Sequence, residues 1–133
     1  KWCLTCGPNS FQIYAIHQIE MLQTVLGHPG KSALRVKAIG NEGGRTLIFD
    51  FGNGVVGQMV QMNALPFQLT VSDGQNCRHQ MMGDDFFERL VREILKFMRT
   101  GESSVPPEDT IAALKMLSAA HRAMKSMDEW ILL

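Results

Sequence analysis

Cysteine is scarce in this chain, three residues in 133, and an odd number so small lays out no disulfide framework. Charge of one sign is also missing: 13 basic residues balance 13 acidic ones. The basic residues are not clustered, so the electrostatic footprint of a nucleic-acid binder is absent and no nucleic-acid partner is expected. No apolar run approaches the roughly 20 residues of a membrane span, and the first residues have neither the basic flank nor the apolar stretch of a signal peptide. A cytoplasmic, non-membrane setting is the expectation. The catalytic signatures that announce themselves by spacing are lacking too: no Gly-x-Gly-x-x-Gly after a strand, no Walker sequence, no Gly-x-Ser-x-Gly and no His-Glu-x-x-His. By motif alone this is not a self-sufficient enzyme, and a chain starting Lys1-Trp2-Cys3 rather than with Met reads as a piece of something longer.

What is present is a core. With 45% hydrophobic residues the chain can bury a sizeable interior and is read as one domain over 1–133. The clearest element is a helix through Tyr14-Ala15-Ile16-His17-Gln18-Ile19-Glu20-Met21-Leu22 to Gly27. At about 100° per residue, Phe11, Ala15, Ile19, Leu22, Val25 and Leu26 fall on one side as a core stripe. Ile13, His17, Glu20 and Thr24 gather in a sector about 60° wide on another side. A histidine and a carboxylate one turn apart are either a solvated surface pair contributing a few tenths of a kcal/mol or one wall of a site. A metal is not expected there, because the matching carboxylates that di-metal bundles place on other helices are missing.

His28-Pro29-Gly30 breaks the chain, and strands take over. Ala33 to Ile39 and Arg45 to Phe51 alternate, with Gly40-Asn41-Glu42-Gly43-Gly44 turning between them. Gly52-Asn53-Gly54 is a hairpin signal, and Val55 to Met62 and Phe67 to Ser72 complete four strands, the last closed by Asp73-Gly74. Short strands joined by tight turns predict an antiparallel meander. The Val55–Met62 strand is apolar on both faces, which points either to a central strand shielded by its neighbours or to a sheet with helices on one side and a further subunit or domain on the other. Asp84 to Thr100 then predicts a helix with Phe87, Leu90, Val91 and Ile94 inward, ended by Gly101. A second starts at Pro106-Pro107 and runs to about Met124 with Ile111, Leu114, Leu117 and Ala120 inward; His121 lies on its flank as a surface residue. Trp130 to Leu133 reads as a last edge strand. The class is α+β: an open-faced, mainly antiparallel sheet with helices packed on one face.

Cys3-Leu4-Thr5-Cys6 has the spacing of a thiol redox or zinc pair, and Cys77 with His79 would be the only local source of two more ligands. Against this, the first pair sits in a terminal segment expected to fray, and no metal is assigned.

Two stretches resemble a known family, the C-terminal domain of oxidoreductases of the glucose-fructose oxidoreductase and inositol dehydrogenase (Gfo/Idh/MocA) type. Ile16-His17-Gln18-Ile19-Glu20-Met21-Leu22 through Leu26-Gly27 is similar to the helix that holds that family's active-site histidine. Phe86 to Gly101, Pro106-Pro107-Glu108-Asp109-Thr110 and Ala119-Ala120-His121-Arg122 to Leu133 are similar to its last two helices and final strand. The resemblance implies an N-terminal Rossmann domain, outside this chain, that binds NAD or NADP and supplies a lysine. It implies that this domain contributes a sheet for homo-oligomerisation and one wall of a pocket for a sugar or polyol-like substrate. His17 is then the catalytic acid/base, a task that suits an imidazole, with Tyr14 and Glu20 beside the substrate. The family's acidic residue four positions before the histidine is Ile13 here, and its small residue two before is Ala15, so Glu20 is the carboxylate left to act on His17. Two other readings stand beside this one: a noncatalytic interaction or ligand-binding domain using the sheet face, and a small zinc or thiol module on Cys3 and Cys6.

Overall fold

Trp2–Pro8 (β1), the segment expected to fray, is a strand in the interior of the sheet. The computed structural model describes residues 1–8, 10–27 and 31–133; the break expected at His28-Pro29-Gly30 lies outside the described residues. After β1 come α1 (Phe11–Leu26), β2 (Arg35–Asn41), β3 (Gly44–Gly52), β4 (Val55–Met62), β5 (Gln68–Ser72), β6 (Cys77–Met81), α2 (Phe86–Thr100), α3 (Pro107–Ala123) and β7 (Trp130–Leu132). The seven strands form one sheet in the order β6-β5-β1-β4-β3-β2-β7. Every junction is antiparallel except β1 with β4, which run parallel. The expected class is therefore found: an open α+β sheet, mainly antiparallel. Its meander covers only β2 to β4, because β1 slots between β4 and β5 and pushes β5 across the sheet.

Local chemistry explains the tight turns. Asn53 and Gly54 take positive φ (51° and 73°) between β3 and β4, the conformation that Asn and Gly tolerate at two-residue hairpin turns. Asp73 accepts hydrogen bonds from the backbone N–H groups of Gln75 (2.8 Å) and Asn76 (2.7 Å), and so folds the chain back from β5 into β6. β6 was not anticipated, since Cys-Arg-His-Gln-Met has neither β-branched residues nor hydrophobic alternation.

One face of the sheet carries the core. Cys3 and Thr5 of β1, Val36 and Ala38 of β2, Leu47 and Phe49 of β3, and Met59 of β4 are buried there. From α1 they meet Phe11, Ala15, Ile19, Leu22 and Leu26, five of the six expected stripe residues; Val25 is only half-buried. Gly57 leaves room for this packing, since a Cβ there would lie 3.1–3.2 Å from Phe51, Leu22 and Leu26.

The other two helices depart from expectation. α3 turns Ala112, Ala113, Met116, Ala119, Ala120 and Ala123 inward, while Ile111 and Leu114 are more than half exposed. The run of alanines lets the α3 backbone approach α1 and β2 more closely than a leucine face would allow. α2 buries nothing: Phe87, Leu90, Val91 and Ile94, expected in the core, are all exposed. Among the described residues no helix is long and apolar enough to cross a membrane.

The opposite face of the sheet has no helix among the described residues. Cross-strand register lines Trp2, Val56, Asp50 and Arg35 in one row, Leu4, Gln58, Ile48 and Lys37 in the next, and Cys6, Val60, Thr46 and Ile39 in a third. These side chains are half-buried or exposed. The two-sided apolar character of β4 thus resolves into a buried helix side and an open, mixed side.

Candidate functional site at the first helix

The sheet sets the rotation of α1. Besides its apolar stripe, α1 buries Gln18, whose Nε2 donates to the Val60 carbonyl at 3.0 Å, and Gln23, whose Nε2 donates to the Lys31 carbonyl at 2.7 Å. Pinned at both points, the helix can present only its remaining side to the outside. That side carries Ile13, His17, Glu20 and Thr24, all exposed, as the 60° sector requires.

Structure brings His17, Tyr14 and Glu20 together at one rim. His17 Nδ1 lies 3.7 Å from Glu20 Oε2, with both side chains 58% exposed, so the attraction is screened and weak. Thr24 Oγ1 donates to the Glu20 carbonyl at 2.8 Å. A residue that sequence reasoning missed completes the cluster. Phe67, immediately before β5, meets Tyr14 edge-on at 5.8 Å between ring centroids and meets His17 edge-on at 5.9 Å. Alternation puts Phe67 on one face with Leu69 and Val71, but nothing in that pattern says that it would reach the histidine. The only hint is its place after Pro66, where the strand has not yet begun.

Gly7 fits underneath. A Cβ on it would fall 2.9 Å from both Gln18 Cδ and Phe67 Cε1, so the absence of a side chain lets Phe67 lean on α1. The rim consequently has an aromatic floor and an accessible imidazole. Such a group can accept or donate a proton to a bound hydroxyl, with Glu20 the carboxylate nearest to a protonated ring.

A groove of about 680 Å³ opens beside this rim, between α1 and the connection from α2 to α3. Glu20 and Thr24 line one wall, and Leu90, Val105, Asp109 and Thr110 the others. His17 does not line it; Glu20 links the rim to the groove. The volume is within the ~300–1,000 Å³ of small-molecule sites.

The cysteine module does not assemble. Three residues apart on a strand, Cys3 and Cys6 point to opposite faces, Cys3 into the core and Cys6 toward the open side. Cys77 and His79 sit on β6, two strands from β1, and His79 is hydrogen-bonded to Thr70 Oγ1 at 2.9 Å. Burial pushes the Cys3 thiol up to about 11, with Lys1 opposing it, and burial also raises that of Cys6 against a hydrogen bond from Gln68. Both thiols are thus driven away from the reactive thiolate. Among the described residues no cluster of three or more His, Cys, Asp or Glu could hold a metal ion.

No protein-family model and no curated protein sequence matches the chain. Solved structures do. The chain superposes over 100% of its length on YvaA of Bacillus subtilis, assigned as an oxidoreductase, with a TM-score of 0.59 and 12% identity. It superposes over 98% of its length on a protein of Thermotoga maritima assigned as a dehydrogenase, with a TM-score of 0.63 and 15% identity. It spans 58% and 55% of those two chains, little more than half of each. At such identities the shared property is the fold, and it is a fold found in proteins assigned to oxidoreductase chemistry.

Proposed function

We propose that this chain is the substrate-side domain of an NAD(P)-dependent oxidoreductase of the Gfo/Idh/MocA type, acting on a sugar or polyol-like substrate. The observation that supports it best is the accessible His17, held against Phe67 beside Tyr14 and Glu20 on a helix locked to the sheet, in a fold shared with proteins assigned as an oxidoreductase and a dehydrogenase. The chain itself offers no Gly-rich phosphate cradle, so NAD or NADP belongs to a separate Rossmann domain. The nicotinamide supplies hydride transfer. His17 takes the proton of the substrate hydroxyl as the carbon beneath it is oxidised, or returns it in the reverse direction. Glu20 stabilises the imidazolium formed in that step, in the absence of the family's carboxylate at Ile13. Tyr14 orients the substrate through its hydroxyl, and Phe67 keeps the imidazole from collapsing onto the sheet.

The open sheet face is where a second copy of the chain would pack, since Trp2, Leu4, Val56, Ile48 and Val60 form a contiguous mixed surface with no covering helix among the described residues. That surface equally favours the second reading, a noncatalytic interaction domain. The two separate in the intact protein carrying its nucleotide-binding segment. His17→Ala should leave cofactor affinity unchanged and lower kcat by about 10²–10⁴-fold, the usual range for a lost acid/base. Unchanged turnover removes His17 from the mechanism, and a protein with no dehydrogenase turnover on any polyol tested favours the interaction domain.

A further inference from the structure

Two residues directly beneath the His17 rim break local rules, and they adjoin. Gly7 occupies a buried position inside β1, where a glycine has no side chain to pack and weakens the strand. Its φ lies outside the left-handed region, so conformation does not call for glycine there. Space does. Cys6 pairs with Gln68, so the next residue of each strand, Gly7 and Phe67, meet at the end of the ladder between β1 and β5. Gln18 is the second residue. It is a fully buried amide on the apolar stripe of α1, between Ala15 and Leu22, and its Oε1 has no hydrogen-bond partner among the described residues, a costly arrangement for a core position. A Cβ on Gly7 would stand 2.9 Å from Gln18 Cδ, 2.9 Å from Phe67 Cε1 and 3.0 Å from Phe67 Cδ1, closer than ordinary Cβ contacts come.

We infer that Gly7 and Gln18 are positioning residues for His17, fixing the place of the imidazole by two routes that start from one α-carbon. Along the first, the bare Gly7 lets the Phe67 ring settle against α1, where it meets the imidazole edge-on at 5.9 Å. Along the second, Gln18 lays its side chain over Gly7 and donates to the Val60 carbonyl at 3.0 Å. Neighbouring helix residues point about 100° apart, so an anchored Gln18 sets the direction in which His17 leaves the helix. A methyl group at position 7 is not absorbed cheaply, because it meets a stiff ring edge and an amide held by a hydrogen bond. Gly57 is the contrast within the same core. A Cβ there lies 3.1–3.2 Å from Phe51, Leu22 and Leu26, the two leucine contacts being methyl ends that can give, and it sits beneath the far half of α1. Local rules broken at adjoining positions mark a functional region more than a merely packed one. The role takes its catalytic consequence from the acid/base reading of His17, and its geometry from packing alone.

The intact protein carrying its nucleotide-binding segment tests this role, with wild type compared to Gly7→Ala, to the volume-conserving Gln18→Met and to Gly57→Ala as a control for crowding in the core. Circular dichroism and urea midpoints show whether each variant folds; should Gly7→Ala not fold, Gln18→Met decides alone. Acylation by diethyl pyrocarbonate, followed peptide by peptide with mass spectrometry, reads the surroundings of His17 without any turnover, and the exposed His79 and His121 serve as internal references. Gly7→Ala and Gln18→Met should change the rate at His17 at least about twofold and lower kcat about ten- to a hundredfold, what a displacement of up to about 1 Å costs a reacting group, with cofactor affinity unchanged. His79 and His121 should keep their wild-type rates, and Gly57→Ala should leave both the His17 rate and kcat as they were. An unchanged His17 rate in either folded variant overturns the assignment, as does a rate that Gly57→Ala moves equally or that moves together with those of His79 and His121. A wild type that turns over no polyol, while the labelling follows the expected pattern, sinks the acid/base reading and upholds the positioning.

Discussion

At the scale of single residues, burial and polarity make opposite demands at neighbouring positions. Gln61 lies wholly inside, on β4 facing the helices, yet neither its amide nitrogen nor its oxygen has a hydrogen-bond partner among the described residues. An unpaired buried amide forfeits more than a shape-matched apolar chain would. Gln61→Met should therefore stabilise the fold, by about 1 kcal/mol, measured as a shifted urea midpoint at constant m-value; a lowered midpoint would show that the amide is satisfied in solution. Asp50 makes a pH-dependent contribution. The Gly52 N–H (2.8 Å), followed by the Arg35 guanidinium (2.9 Å), holds its carboxyl below the usual carboxylate range. A lowered folded pKa stabilises the native state above the ordinary carboxylate value of about 4, and that contribution vanishes as pH falls through the lowered value. Asp50→Asn should flatten the acid limb of stability against pH and leave its slope near neutrality unchanged. The three thiols should separate just as cleanly. In native protein at mildly alkaline pH, a thiol reagent should label exposed Cys77 first, and Cys3 only on unfolding, as mass spectrometry of digested peptides would report.

Elements show where side-chain pattern carries information and where it stops. α1 was legible because its apolar and polar residues segregate sharply, and the same pattern placed His17 and Glu20 on one exposed face. β2 to β4 were legible through alternation and through Asn53-Gly54. β1 was not, since Trp-Cys-Leu-Thr-Cys-Gly-Pro reads as a frayed end until β4 and β5 are there to pair with it, and that pairing is a long-range event. α3 defeated periodicity in another way. A window of Ile, Leu and Ala fits two rotations, and the packed structure selects the alanine side because close approach to α1 and β2 recovers more contact than burying Ile111 and Leu114. A bulky residue on that side should therefore be costly. Ala119→Leu, at a fully buried position, should destabilise by about 1–3 kcal/mol through overpacking, whereas Leu114→Ala on the exposed side should stay within about 0.5 kcal/mol. The candidate site was half legible for the same reason as β1. Tyr14, His17 and Glu20 share a helix, but Phe67 joins them only through the fold, some 50 residues along the chain.

For the whole molecule, the core is one-sided, with the sheet dividing the chain into a helix-covered face and an open one. α2 stands apart from both. The open face carries the proposed contact between copies, so a charge placed at its centre tests that contact. Ile48→Glu should shift the intact protein toward smaller species in sedimentation velocity at a concentration where wild type self-associates, and an unchanged profile would remove the open face from the proposed contact. The His17 rim offers an internal control. It belongs to α1, which shares no row of the open sheet and no part of the α2 face, so His17→Ala should leave every assembly state as it was. If His17→Ala changed the state of assembly, the rim would itself be an interface, and the accessible imidazole would have a structural explanation in place of a catalytic one.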